Sequence, residues 1–210
     1  MSSLLLKQFY SNRSSLLMVG AMLLLFPLLL FNNEDGPFTP LVFAVMMTWY
    51  FAIGMDMNEH KNDTDVLVNS LPVTRRQIVT SKYVTLLLVG FVFIIVGKVT
   101  WFLTENHSLV QLSDALLAMM AVALFTSVYF PLYYKLGTPF INLAFVVLAV
   151  LSFTAFPIVY YTGLRNGFWG LADLWEQHAS LLLVVFCFIT VALMLVSRSI
   201  SIRLYEKKEF

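Results

Sequence analysis

Six long, mostly apolar stretches separated by polar links divide this sequence, and nothing else in it constrains the fold as strongly. They cover residues 15–31, 38–55, 83–104, 112–134, 140–161 and 179–197. A helix of about 20 apolar residues crosses the hydrocarbon core of a bilayer with its backbone polar groups bonded internally. Hydrophobic residues make up 60% of the chain and charged residues 12%, a balance that a soluble domain of this length cannot bury. The sequence therefore predicts an all-α integral membrane protein, a single transmembrane domain over residues 1–210 with six spans. The first stretch follows Lys7 and Arg13 as a signal peptide would. It ends, however, in Asn32-Asn33-Glu34-Asp35 with no small-residue cleavage pattern, so it is read as a retained span. The second is the weakest, with Pro40 near its start and a short apolar core.

Lysine and arginine placement sets orientation. Six spans put Lys7, Arg13, Lys61, Arg75, Arg76, Lys82, Lys135, Arg198, Arg203, Lys207 and Lys208 on one side. The other side receives Arg165, with Lys98 inside the third span near its outer end. Both termini are thus expected in the cytoplasm of a multi-pass membrane protein. Residues 1–14 place Leu4, Leu5, Leu6, Phe9 and Tyr10 beside Lys7 and Arg13, which suits an interfacial helix touching membrane lipid. The longest external connection, 162–178, carries Trp169 and Trp175, aromatics that mark a membrane interface. A net charge of +1 gives no sign of a nucleic-acid partner. Cys187, the single cysteine, lies in an apolar run; it excludes an internal disulfide and reads as a small buried hydrophobe.

One link stands apart. Residues 56–82 form a polar cytoplasmic loop between spans two and three, far longer than the link around Lys135. A loop of that length implies structure and a partner. Asp63 or Thr64 caps a short helix through Val66, Leu67 and Leu71, which Pro72 ends. Thr74-Arg-Arg-Gln77 then fits a capping box, with Val73 and Ile78 at the staple positions. A new helix is expected to start near Arg75 and run straight into span three. A short helix, a sharp turn and a rigid shaft into the membrane would transmit force; basic residues meeting anionic lipid headgroups explain the same residues equally well.

The stretch Asn69-Ser-Leu-Pro-Val-Thr-Arg-Arg-Gln-Ile-Val-Thr-Ser-Lys-Tyr83, after Asp63 and Asp65, resembles the N-S-L-P-V-[ST]-R-x-x-I-V-x-[SA]-K-Y segment of type 2 ABC exporter permeases. The small six-span layout is similar to the bacterial subgroup that includes phenol-soluble-modulin exporter permeases. That resemblance implies a coupling helix over residues 65–71 that docks on a separate ABC ATPase subunit. Asp63, Asp65, Leu67, Asn69, Ser70, Leu71, Pro72, Thr74, Arg75 and Arg76 are the residues it assigns to the contact. It also implies a bacterial cell membrane, a second permease copy or a related permease, a transport path between the two, and an N-terminal connecting helix. ATP and Mg would sit on the partner subunit, and no cofactor on this chain.

The sequence holds no G-x-x-x-x-G-K-[ST], so ATP phosphates would have to be cradled by another polypeptide. Two rival readings stand beside the permease. An intramembrane enzyme needs ionisable residues grouped at membrane depth, whereas His60, His107 and His178 lie far apart and no H-E-x-x-H occurs. An accessory or immunity membrane protein shares the layout and is not separated by sequence. Lys98 either snorkels to the headgroups or faces the transport pathway, meeting an anionic cargo group or Asp114. Gly90 and Gly97, seven apart on one helix face, permit close helix contact. The aromatic-rich spans favour a hydrophobic or amphipathic cargo, a peptide of toxin or antimicrobial type among them.

Overall fold

Four of the apolar stretches fold as helices that run past their expected limits into the polar links. The computed structural model describes residues 2–30, 40–61, 73–104, 112–137 and 171–207, with isolated positions between 140 and 151. Among them are six helices: α1 (Ser2–Ser11), α2 (Arg13–Leu30), α3 (Pro40–Lys61), α4 (Arg75–Thr104), α5 (Leu112–Leu136) and α6 (Leu171–Glu206). Among the described residues, four segments are long and apolar enough to cross a membrane: Leu41–Lys61, Arg75–Thr100, Ser113–Leu136 and Ser180–Glu206. The first expected span is helical as α2. Most of the fifth, 140–161, lies outside the described residues, as do 62–72, which include the expected coupling helix.

At the link expected over 56–82, the helix entering span three starts at Arg75 as expected, whereas the second span runs past its expected end at residue 55. α3 continues to Lys61 and α4 begins at Arg75, leaving 62–74 between them. The reason is charge pairing: the polar residues at the two helix ends neutralise one another inside the bundle, so they need no solvent. α6 likewise starts at Leu171, within the region expected as an external connection, and its 36 residues extend about 54 Å at 1.5 Å per residue.

α3, the weakest span on paper, is the most enclosed. Ala44, Ala52, Ile53 and Met55 are fully buried. Its apolar residues surround the helix instead of forming a stripe, which is the pattern of a helix with neighbours on several sides. Pro40 opens it at the first position, where a missing amide hydrogen is not needed. The Thr48 hydroxyl donates to the Ala44 carbonyl at 2.8 Å, which keeps a buried hydroxyl bonded within the helix.

α4 is the hub and touches each of the other five described helices. Gly90 lets it approach closely. A Cβ there would lie 2.9 Å from Val122 Cγ1 on α5 and 3.3 Å from Thr48 Cγ2 on α3, so the expectation of close contact at this glycine is met. α5 carries an aromatic row, Phe125, Tyr129 and Tyr133, with ring centroids 5.3 and 6.2 Å apart. Trp49 of α3 stacks on Phe125 at 4.9 Å. Ser113 and Asp114 sit in the first turn of α5, where a negative charge favours the helix dipole. Gly137 ends the helix with φ of 72° while its amide donates to the Tyr133 carbonyl at 2.9 Å, a left-handed stop that favours glycine.

α6 packs mainly on α5 and turns most of its apolar surface outward, with Val184 69% and Phe188 78% exposed. Cys187, expected as a buried hydrophobe, is exposed there too. Lipid tails solvate apolar side chains, so burial is not required of them. Polar bonds hold the helix in register instead. The Tyr83 hydroxyl meets Ser197 and Ser201 at 2.7 and 2.9 Å, and Ser197 donates to the Ser127 carbonyl at 2.6 Å.

Candidate functional site

The two helices that bracket residues 62–74 define the site. On the α4 side the capping box is formed. The Gln77 amide donates to Thr74 Oγ1 at 3.3 Å, and the Thr74 amide donates to Gln77 Oε1 at 3.1 Å. These bonds satisfy two backbone donors that a helix start otherwise leaves open. Val73 and Ile78 join the same apolar cluster, as a staple requires. The α4 start is therefore anchored at the residue where the link ends.

Arg75 and Arg76 are engaged within the chain. Arg75 Nη1 donates to the carbonyls of Tyr205 and Glu206 at 3.3 and 2.8 Å. It occupies the C-terminal end of α6, where open carbonyls and the helix dipole attract a cation. Arg76 Nε lies 3.2 Å from Glu206 Oε1, an exposed pair of small energetic weight. Arg198 Nε on α6 donates to Thr80 Oγ1 at 3.0 Å. The α4 start and the α6 end thus form one unit.

Beneath this lies a group that sequence reasoning missed. Lys82 of α4 is 2% exposed, and its Nζ lies 2.7 Å from Asp56 Oδ1 and 2.6 Å from Glu59 Oε2. Asp56 and Glu59 stand three apart on one face of α3 and are 0% and 3% exposed. The ammonium also sits 4.9 Å from the centroid of the Tyr133 ring, a favourable cation–π contact. Lys7 of α1 pairs with Glu59 Oε1 at 3.1 Å, and Gln8 Nε2 donates to the same oxygen at 3.4 Å. The Tyr129 phenol adjoins Asp56, although neither its hydroxyl nor Asp56 Oδ2 makes an aligned hydrogen bond among the described residues.

This cluster has a mechanical consequence. Separating α3 from α4 at this level would leave charges buried without partners, which is far costlier than the pairs are stabilising. The two helices are therefore held together at this level. A signal for this was present in the sequence: Asp56 and Glu59 share a helix face if α3 continues, and Lys82 then has two acids within reach. Ending the second span at residue 55 removes that geometry.

The remaining expected residues are scattered. Asp63, Asp65, Leu67, Asn69, Ser70, Leu71 and Pro72 lie outside the described residues. Lys98 is half-buried near the far end of α4, and no ion pair joins it to Asp114 among the described residues. Asp114 instead borders an apolar cleft of 330 Å³ between α3 and α5, lined in part by Leu41, Val45 and Trp49. Among the described residues no group of three or more histidine, cysteine, aspartate or glutamate side chains is placed to hold a metal ion. The buried charges join α3 to α4.

Residues 3–206, from α1 to the last turn of α6, match a protein family described as ABC-2 family transporter protein. No curated protein and no solved structure matches the chain. The chain belongs to the ABC-2 family of transporter membrane proteins.

Proposed function

We propose that this ABC-2 permease subunit belongs to an ATP-driven exporter, with residues 65–71 as the coupling helix on which a separate ATPase subunit docks. The observation that carries the reading is the clasp around 62–74. One end of that segment is fixed by the Thr74–Gln77 capping box, and the helices on both sides are joined through Lys82, Asp56 and Glu59. Force applied between them enters α4, which touches every other described helix. An ATPase partner is general to the family, and the absence of a phosphate-binding loop in this sequence agrees with ATP and Mg being held there.

The finer reading follows from the same residues. Six spans with both termini cytoplasmic keep the basic residues on one side. Two permeases, identical or related, line the path, and closure of the ATPase pair tilts α3 and α4 together to switch access. Transport requires the two conformations to differ in cargo affinity, since a cargo bound equally by both is not driven. Apolar and amphipathic cargo, including peptides of toxin or antimicrobial type, fits spans of this composition, in a bacterial cell membrane.

Co-purification with the ATPase subunit, followed by ATPase assays in liposomes, tests the reading. Leu67→Asp and Leu71→Asp are expected to dissociate the complex or to uncouple hydrolysis from the permease. Variants that bind and couple as the parent does would refute the coupling-helix assignment.

A further inference from the structure

The buried cluster is charge-balanced only with the help of a helix that is not part of the α3–α4 pair. Asp56 and Glu59 on α3 bring two negative charges and Lys82 on α4 one positive charge. The fourth charge is Lys7, on α1. α1 turns Lys7 and Gln8 toward the bundle, with Phe9 packed beside them against the apolar cluster. Gln8 and Asn12 are buried, whereas Leu6 is 65% and Tyr10 73% exposed. That is the reverse of a water-facing helix and fits one lying among lipid headgroups and acyl chains. Other bonds hold α1 and the α1–α2 junction to α3: Asn58 Nδ2 donates to the Ser11 carbonyl at 3.3 Å and to Asn12 Oδ1 at 3.1 Å. Of these contacts, Lys7 alone carries charge.

We propose that Lys7 is a positioning residue that ties the docking of α1 to the closure of α3 on α4. With α1 docked, the cluster is neutral. With α1 released, one carboxylate charge stays uncompensated at a site where Asp56, Glu59 and Lys82 are each 3% exposed or less. A buried unpaired charge draws in water or separates the helices that enclose it. The coupling is reciprocal: whatever reshapes the α3–α4 end alters the hold on α1, and whatever moves α1 alters the α3–α4 end. Because Leu6 and Tyr10 stand exposed on the opposite side of α1, its displacement is resisted by lipid, and α1 acts as a lever between membrane surface and clasp. Only the identification of ATP as the driver rests on the permease reading.

The test uses the full chain in nanodiscs of phosphatidylethanolamine and phosphatidylglycerol, with amide hydrogen exchange followed over residues 2–11. Lys7→Met is expected to speed exchange of the α1 amides about tenfold, a loss of one charged hydrogen-bonded pair, while Lys7→Arg exchanges as the parent does. Glu59→Gln removes the excess negative charge, so adding Lys7→Met to it should change α1 exchange by less than twofold. Equal exchange in the parent and Lys7→Met, or additive effects of Lys7→Met and Glu59→Gln, overturns the proposal. In the complex with the ATPase subunit, ATP and vanadate should shift α1 exchange in the parent and leave Lys7→Met unmoved. An α1 that ignores nucleotide in the parent complex overturns its link to the ATP cycle. A chain that binds no ATPase yet shows the Lys7 dependence supports the docking and counts against the permease reading instead.

Discussion

Replacing Lys82 by methionine isolates the energetic weight of the buried clasp. Lys82 Nζ lies 2.7 and 2.6 Å from two carboxylates. Each pair is worth about 6 kcal/mol of gross attraction at an effective dielectric of about 20. Most of that attraction is offset by the cost of removing three ions from water, so the intact cluster contributes little net stability. Loss of the lysine is a different matter: Asp56 and Glu59 stay buried side by side, with Lys7 reaching only Glu59. Breaking a buried pair in this way costs about 3–5 kcal/mol. The triple variant Lys82→Met, Asp56→Asn, Glu59→Gln removes every charge of the α3–α4 clasp and should recover more than half of that loss. Lys7, already 29% exposed, then turns to water. The measurement is reversible unfolding in mixed micelles, read by circular dichroism for parent, single and triple variants. A single variant within about 1 kcal/mol of the parent, the range of an exposed pair, would refute the buried clasp. So would a triple variant no better than the single one.

Two further predictions address how α4 is seated. Gly90→Ala places a Cβ 2.9 Å from Val122 Cγ1, and Val122 is fully buried; overpacking of this kind costs about 1–3 kcal/mol. Combining it with Val122→Ala should give less than the sum of the single effects, since the two sites share one gap; additive losses would count against the close approach. Arg75→Ala removes two charged hydrogen bonds to the α6 carbonyls and should cost about 1–3 kcal/mol with faster amide exchange over residues 203–206. Arg76→Ala, at an exposed pair, should stay within about 1 kcal/mol; equal effects of the two would contradict the placement of Arg75 at the helix end.

Local signals in the sequence were accurate where the deciding interactions are local. The capping box at Thr74 and Gln77 involves residues three apart in one turn, and both of its bonds are present. Gly90 marked a close helix approach because only a residue without a side chain allows it. α3 runs past the expected end of the second span for the opposite reason. Asp56 and Lys82 are 26 residues apart, and neither is compatible with a buried helix until the other is beside it. Weighing Asp56 singly sends it to solvent; weighing it with Lys82 extends α3.

By itself, then, the sequence determined the membrane setting and the helical class, because the bilayer forces every spanning backbone to satisfy its own hydrogen bonds over a fixed length. It also determined the start of α4, through bonds confined to one turn. The tertiary structure decided which charges are interior: it brought Lys82 to Asp56 and Glu59, Lys7 across from another helix, and Arg75 to the carbonyls that end α6. Partners distant in sequence make each of those placements affordable, and only the packed bundle holds the partners together.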